Sequence, residues 1–431
     1  VRAQFNVVSL VGGKKGVLSM FESEIIEMQG ELEQHYKMFH ECPEKGFHEV
    51  RTAAFIAQEL KSYGLDVKTG VGLTGVVGDL DSGKQGKTLM IRADMDCLEI
   101  EEKSDVPWKS KNSGLMHGCG HDSHVTMLLG AAKILAKHKE SFSGKIRFVF
   151  QPAEEGTPSD AWELLKQNGY DTSVQGGALQ MIQDHVLDGV DACLVMHVQP
   201  SIPFGNVQIS KKYAASSSDW FTIDIYGKGG HGAMPHKAVD PLPVAAQIIN
   251  ELYMVSAREI PAYETSAFTI GVCNTPSAVW NAVCNQVHLE GTYRNFNSTV
   301  REHIAARMEE IVSHIAQAGR CKGKVERHKF YTAVLNNVDY SARVADYCRN
   351  LLGAEHVDYT DVPSMTSEDC GCFLEHVPGV YFWFGIGTEK NQPPLHSPYF
   401  HLDPKVLSGG VRMHVNNALH LLDDLNHGRL K

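Results

Sequence analysis

The chain has 431 residues, 43% of them hydrophobic and 21% charged, with a formal net charge of -11. That length exceeds a usual single domain and points to two, and the composition is that of a globular protein with ample apolar material for a core. The acidic balance argues against nucleic acid or an anionic membrane as partners, and no apolar run reaches the ~18 residues a membrane-crossing helix needs.

In chain order, Val7 to Leu10 is too short for the apolar core of a secretory signal. The sequence begins at Val1, so a removed targeting peptide stays open. Helical patterning covers Glu22 to Met38 and Thr52 to Tyr63. Thr88 to Ile91 is a compact apolar run leading into Arg92-Ala-Asp-Met-Asp96, as expected of a strand covered on both faces at the centre of an α/β sheet. A helix is expected from Val125 to Leu135, then strands at Lys145 to Phe150 and Ala192 to Met196. Phe221 to Tyr226 alternates like a half-exposed strand, and helical sequence runs from Pro241 to Ser256. Strands follow at Thr265 to Val272 and Gln286 to Asn295. Ser298 or Thr299 is placed to cap a further helix, within which Ile304, Met308, Ile311 and Ile315 make one apolar face. Lys322 to Phe330 supplies a last strand. This β-α-β-β-α-β order is that of a ferredoxin-like domain, inserted so that residues 1–213 and 331–431 form one domain and 214–330 the other. The 10 cysteines are scattered, with no CxxC pair. Reduced thiols in a cytoplasmic protein are therefore expected.

Residues suited to metal binding fall repeatedly just after strands, where open α/β sheets place their sites. In Met116-His-Gly-Cys-Gly-His-Asp-Ser-His124, Cys119 and His121 offer thiolate and imidazole in a glycine-rich turn, a soft to borderline pair suited to zinc and its neighbours. A turn whose histidine caps the next helix is the alternative. Asp122 suits a partner that orients a histidine ligand. Glu154 and Glu155 follow a strand in Gln151-Pro-Ala-Glu-Glu-Gly156. A solvated turn would look the same, but a two-metal hydrolase needs one carboxylate for metal and one for the proton of water. His197 ends another apolar run, and His396 precedes Pro398, which restricts its loop. Each is weak alone; the combination makes the metal case.

These motifs, in this order and with Gly227-Lys-Gly-Gly-His-Gly-Ala-Met-Pro-His236 and Leu395-His-Ser-Pro398, resemble the peptidase M20 clan. More narrowly they resemble its aminoacylase and amidohydrolase branch, which includes hippurate hydrolases, auxin-conjugate hydrolases and N-acyl-amino-acid amidohydrolases. The early His40-Glu-Cys-Pro-Glu44 segment matches as well, so the resemblance spans roughly residues 30–420. It implies an α/β metallohydrolase domain with a mixed sheet and an inserted ferredoxin-like lid that also makes a homodimer. It implies that Cys119, His121, Glu155, His197 and His396 hold two divalent metal ions, zinc or manganese, with cobalt or nickel as substitutes. Glu154 becomes the general base, His231 the group that stabilises the oxyanion, and Asn281 and Arg294 the substrate-binding residues. The implied substrate is a small N-acyl amino acid.

Three departures from the family pattern stand out. Asn281-Ala-Val-Cys-Asn285 replaces an Asn-Val-Ile-Pro-Asp pattern, an insertion occupies about Thr157 to Gln175, and Cys370-Gly-Cys372 stands where an aromatic is usual. A dipeptidase or carboxypeptidase of the same clan is the second reading, although peptidases usually carry Asp where this chain has Cys119. A binding protein without turnover is the third; it would lack Glu154 or several ligands, and all are present.

Overall fold

The computed structural model describes residues 15–276, 279–388 and 392–430. The Val7 to Leu10 run lies outside them. The chain opens with helices α1 (Lys15–Glu27), α2 (Gln29–Glu41) and α3 (Val50–Ser62), then strands β1 (Asp66–Val71), β2 (Gly75–Asp81) and β3 (Thr88–Asp94). Helix α4 (His121–Lys137), β4 (Lys145–Gln151), the short helices α5 (Trp162–Gln167) and α6 (Ala178–Gln183), and strands β5 (Ala192–Pro203), β6 (Val207–Ser210) and β7 (Tyr213–Ala215) complete the first segment. A second unit follows: β8 (Ser218–Tyr226), β9 (Gly230–His231), α7 (Pro241–Met254), β10 (Ser266–Asn274), β11 (Ala282–Val283), β12 (Gln286–Asn295), α8 (Ser298–Ala318) and β13 (Lys322–Tyr331). The chain then returns through β14 (Val334–Leu335), α9 (Val338–Leu352), β15 (Val357–Thr360), α10 (Gly371–Leu374), β16 (Gly379–Gly387) and α11 (Leu407–Asn426).

Eight strands form one mixed sheet in the order β1-β2-β4-β3-β5-β16-β6-β15. Its centre, β4-β3-β5-β16, is parallel, and β3 and β16 are buried along almost their whole length. Uninterrupted apolar strands need cover on both faces. Helices α2, α4 and α11 pack a large core on one face, while a second cluster around Met90, Val149, Val195 and Phe373 fills the other. The carboxyl ends of β3, β4 and β5 thus come side by side, and each delivers polar residues to the same edge.

The smaller sheet has the order β10-β12-β8-β13 with antiparallel neighbours. Within its β-α-β-β-α-β sequence that is second, third, first, fourth, the ferredoxin-like arrangement. Phe221, Ile223 and Ile225 of β8 pack with Ile248 and Leu252 of α7 and with Ile304 and Met308 of α8, forming a separate core. The two crossings to the larger sheet run side by side, because β7 pairs with β14.

Several boundaries shift from the sequence expectations. Helix α4 starts at His121, four residues before Val125, and β5 runs through His197 to Pro203. The first helical stretch divides at Met28 into α1 and α2. The cap of α8 is Asn297, whose side chain accepts from the Thr299 amide at 2.9 Å, rather than Ser298 or Thr299. The hairpin β1–β2 was not expected at all. None of the 10 cysteines is in a disulfide, and no helix among the described residues is long and apolar enough to cross a membrane.

Candidate metal centre

Gly120 takes φ +85, a left-handed turn that lets Cys119 and His121 point to one place before α4 begins. His197 arrives on β5 and His396 on the loop after β16. Cys119 Sγ lies 3.5 Å from His197 Nε2 and 3.3 Å from His396 Nε2. Glu155 Oε1 is 3.4 Å from His396 Nε2 and 3.9 Å from His121 Nε2. The structure thus gathers Cys119, His121, Glu155, His197 and His396 in one cluster. His396 itself sits at φ +64, unusual for a residue with a side chain. Its amide donates to Gly118 O at 2.8 Å, which fixes the loop against the Cys119 turn.

The turn bearing Glu154 is held from three directions. The Ala153 amide donates to buried Glu49 at 2.9 Å, the Glu155 amide donates to Asp96 at 3.0 Å, and the Tyr331 hydroxyl donates to Glu154 O. Ala153 is itself left-handed, φ +52. Glu154 Oε2 lies 3.7 Å from His121 Nε2, and its carboxylate also gathers with those of Glu368 and Asp369.

Residues given no role from sequence support this constellation. Arg92 is 1% exposed and donates to Asp94, Glu368 and Asp369 at 2.6, 2.8 and 3.0 Å. Its Nε donates to Gln151 Oε1 at 2.8 Å, and Gln151 Nε2 in turn reaches Asp369 at 2.8 Å. His124 lies 2.5 Å from Asp94 through Nδ1 and accepts the Val198 amide at 3.0 Å through Nε2, beside His121 and His197. His121 Nδ1 faces Asp96, which leaves its Nε2 for the cluster. The expectation that Asp122 orients a ligand needs correcting: it pairs with His40 at 2.6 Å, and His40 also reaches Glu102 at 3.2 Å. The sequence clues to this support are the string Arg92-Ala-Asp-Met-Asp96, where charges interrupt an otherwise apolar strand, and the segment Ser367-Glu-Asp369, which fits the family pattern.

The remaining expected residues lie on the smaller unit. His231 is exposed and bonds locally, accepting the Ala233 amide at 3.0 Å. Asn281 is also exposed; its carbonyl accepts from Gly232, and β9 pairs with β11 beside it. These two are therefore neighbours of each other and not of the cluster. Arg294 on β12 reaches the larger unit, donating to the Ser367 hydroxyl next to Glu368. It has no carboxylate partner among the described residues, and burial lowers its pKa.

The cluster is short of positive charge. Burial alone would push His121 down, but Asp94, Asp96 and Glu155 raise it to about 10. Burial pushes Glu154 well up, reinforced by Glu368 and Glu155, and pushes Cys119 up, reinforced by Glu155, Glu154 and Asp94. His121 Nε2 and Glu155 Oε1 are buried and have no hydrogen-bond partner, a costly state for polar atoms unless something else contacts them. Cys119, His121 and Glu155 offer donor atoms within 4.8 Å of one another, and Asp94, His121, His124 and His197 form an overlapping group. Sulfur, imidazole and carboxylate donors together fit divalent transition metals.

Comparisons with known proteins agree. The sequence profile of peptidase family M20/M25/M40 matches residues 90–420. Thermostable carboxypeptidase 2 of Saccharolobus solfataricus is 35% identical over 94% of this chain and 98% of its own length. Hippurate hydrolase of Campylobacter jejuni is 33% identical, covering 93% of this chain and 98% of its own. The crystal structure of the Bacillus subtilis YXEP protein, a dinuclear metal-binding peptidase of family M20, superposes with a TM-score of 0.74 at 27% identity, covering 94% and 99% of the two chains.

Proposed function

The chain belongs to peptidase family M20/M25/M40 and is a metal-dependent hydrolase, and from that premise we propose that it cleaves the amide bond of an N-acyl amino acid. The observation that carries this reading is the placing of Glu154 beside His121 and the thiolate–imidazole–carboxylate cluster. Two zinc or manganese ions held by Cys119, His121, Glu155, His197 and His396 would supply Lewis-acid polarisation and make water acidic enough to ionise near neutral pH.

Glu154 takes a proton from the water that attacks the amide carbon. As the new C–O bond forms, the carbonyl oxygen gains charge. His231, carried towards the site by closure of the smaller unit, stabilises that charge. Collapse breaks the C–N bond, and Glu154 passes its proton to the departing nitrogen, leaving a carboxylate and a free amino acid. Arg294, without a carboxylate partner, and Asn281 hold the substrate's own carboxylate.

A homodimer through the smaller unit fits its surface. Strand β10 is an edge strand, open on one side, with Tyr253, Met254 and Val272 exposed around it by 42, 48 and 36%. We assign the protein to the cytoplasm on its unpaired thiols.

Carboxypeptidase action is the second reading, favoured by the Saccharolobus relative. A panel of acetyl-, benzoyl- and aminobenzoyl-amino acids and dipeptides, assayed with metal content, tests both. Turnover of the acyl-amino acids supports the proposal; turnover of dipeptides alone replaces it with the second reading.

A further inference from the structure

We propose that the insertion between Gly156 and Gly176 builds one wall of an apolar acyl pocket, so that the enzyme selects N-acyl amino acids with bulky apolar acyl groups over N-acetyl ones. This rests on the N-acyl amino acid reading above.

A cavity of about 430 Å³ opens beside the metal cluster, within the roughly 300–1,000 Å³ range of small-molecule sites. Asp96 and Glu155 border it at the cluster, while Leu98, Ile100, Pro158 and Phe330 give it apolar walls. Four segments therefore meet there: the loop after α2, the loop after β3, the insertion and the end of β13. Lys45 is a cation on this wall, but Asp160 of the insertion holds it at 2.6 Å and Glu99 lies 3.8 Å away. A paired lysine does not recruit an anion, so the cavity offers little to a substrate carboxylate.

The opposite character appears around Arg294. Its guanidinium reaches Ser367, next to Glu368, and Glu368 gathers with Glu154. Glu155 instead borders the cavity. The neighbouring carboxylates thus divide the site into a part served by an unpaired cation and a part with apolar walls. An N-acyl amino acid has the same two ends, a carboxylate and an acyl group. Placing its carboxylate at Arg294 leaves the acyl group for the cavity.

The wall is built as a fixed structure. Ala161 and Leu165 of the insertion are completely buried and pack with Phe47 and Ala153, the residue preceding Glu154. Gln175 Oε1 accepts the Thr157 amide at 3.0 Å and the Thr157 hydroxyl accepts the Gly176 amide at 3.3 Å, closing the insertion across its base. Tyr170 donates to Asp184 at 2.6 Å, anchoring the far side. Gly156 adopts φ +110, and a side chain there would come 3.0 Å from the Phe330 ring and 3.4 Å from Gln175 Oε1. Glycine therefore keeps the passage between Glu155 and the cavity free.

The test uses N-acetyl, N-benzoyl and N-octanoyl derivatives of one amino acid on the full-length, metal-loaded enzyme, with Ile100→Trp and Phe330→Trp to fill the cavity. Thermal melts establish that each variant is folded. Wild type is expected to show kcat/KM at least about tenfold higher for the benzoyl or octanoyl substrate than for the acetyl one, and the fillers to lower that ratio about tenfold or more. A wild-type preference for acetyl, or ratios unchanged in both fillers, overturns the proposal. If wild type hydrolyses none of the three, the N-acyl amino acid reading has failed and the pocket is judged by equilibrium binding of octanoate and benzoate. Tighter binding by wild type than by Ile100→Trp then supports it, and equal binding overturns it.

Discussion

Cys119 Sγ and His396 Nε2 come within 3.3 Å of each other although 277 positions separate them in the chain. The same sulfur lies 3.5 Å from His197 Nε2, so one thiolate stands between two histidines that arrive from different elements. A sulfur held between two candidate ligands would itself serve as a metal ligand. Cys119→Ser replaces the soft sulfur with a weakly acidic hydroxyl. Elemental analysis is expected to show lost metal, and activity to fall at least about tenfold, the lower end of what ligand-supporting changes cost. Full metal content with wild-type activity would contradict the ligand role.

Arg92 lies inside a ring of buried carboxylates, Asp94, Glu368 and Asp369. Removing it leaves charges that water cannot reach. Arg92→Met is expected to destabilise the fold by about 3–5 kcal/mol, the cost of breaking a buried ion pair from one side. Denaturant unfolding of the metal-free protein measures it, and a loss under about 1 kcal/mol would mean the network is more hydrated than its burial indicates.

His40 makes stability depend on pH. Burial opposes its charge, but Asp122 and Glu102 win and raise it from 6.5 to about 9. The folded protein therefore holds a proton that the unfolded chain releases above pH 6.5. The contribution is complete below that value and is lost as pH rises through about 9. His414 acts in the opposite sense: burial lowers it to about 3, so its contribution is lost as pH falls below 6.5. His40→Gln should flatten the decline of Tm between pH 6.5 and 9. An unaltered slope would rule His40 out.

Glu49 accepts from the Ala153 amide at 2.9 Å and from the Thr74 hydroxyl at 2.6 Å while completely buried. It acts through the turn that carries Glu154 and is a positioning residue. Glu49→Ala is expected to lower kcat about tenfold or more with little change in KM, since small misplacements at a catalytic group are costly. Glu49→Gln, which keeps an acceptor, should recover most of kcat. Equal loss in both variants would argue against positioning through the hydrogen bond.

Much of this could be read from the sequence, and the failures have particular causes. Strand β3 and the β-α-β-β-α-β order were visible because apolar runs and alternation mark them directly. Helix α4 was expected to begin at Val125 because the apolar pattern starts there. Its true first turn holds His121, Asp122, Ser123 and His124, all buried and all polar. The same masking ended β5 early, where His197 interrupts the apolar run though it is as enclosed as its neighbours. Motif order brought out the five candidate ligands that the fold gathers, but no spacing rule connects Arg92 to Glu368, 276 positions away. Such partners become neighbours only when the sheet forms. His231 and Asn281 are expected on the inserted unit, with closure bringing His231 to the metals, and they lie there, exposed.

The central claim is that Glu154 moves the proton while other residues hold the metals. The most direct measurement compares wild type with Glu154→Ala for hydrolysis of the best N-acyl amino acid, with metal content determined on both samples. The account predicts unchanged metal content and a rate lower by about 10²–10⁴, the range of general-base contributions. A variant that keeps its metals and its rate would contradict it.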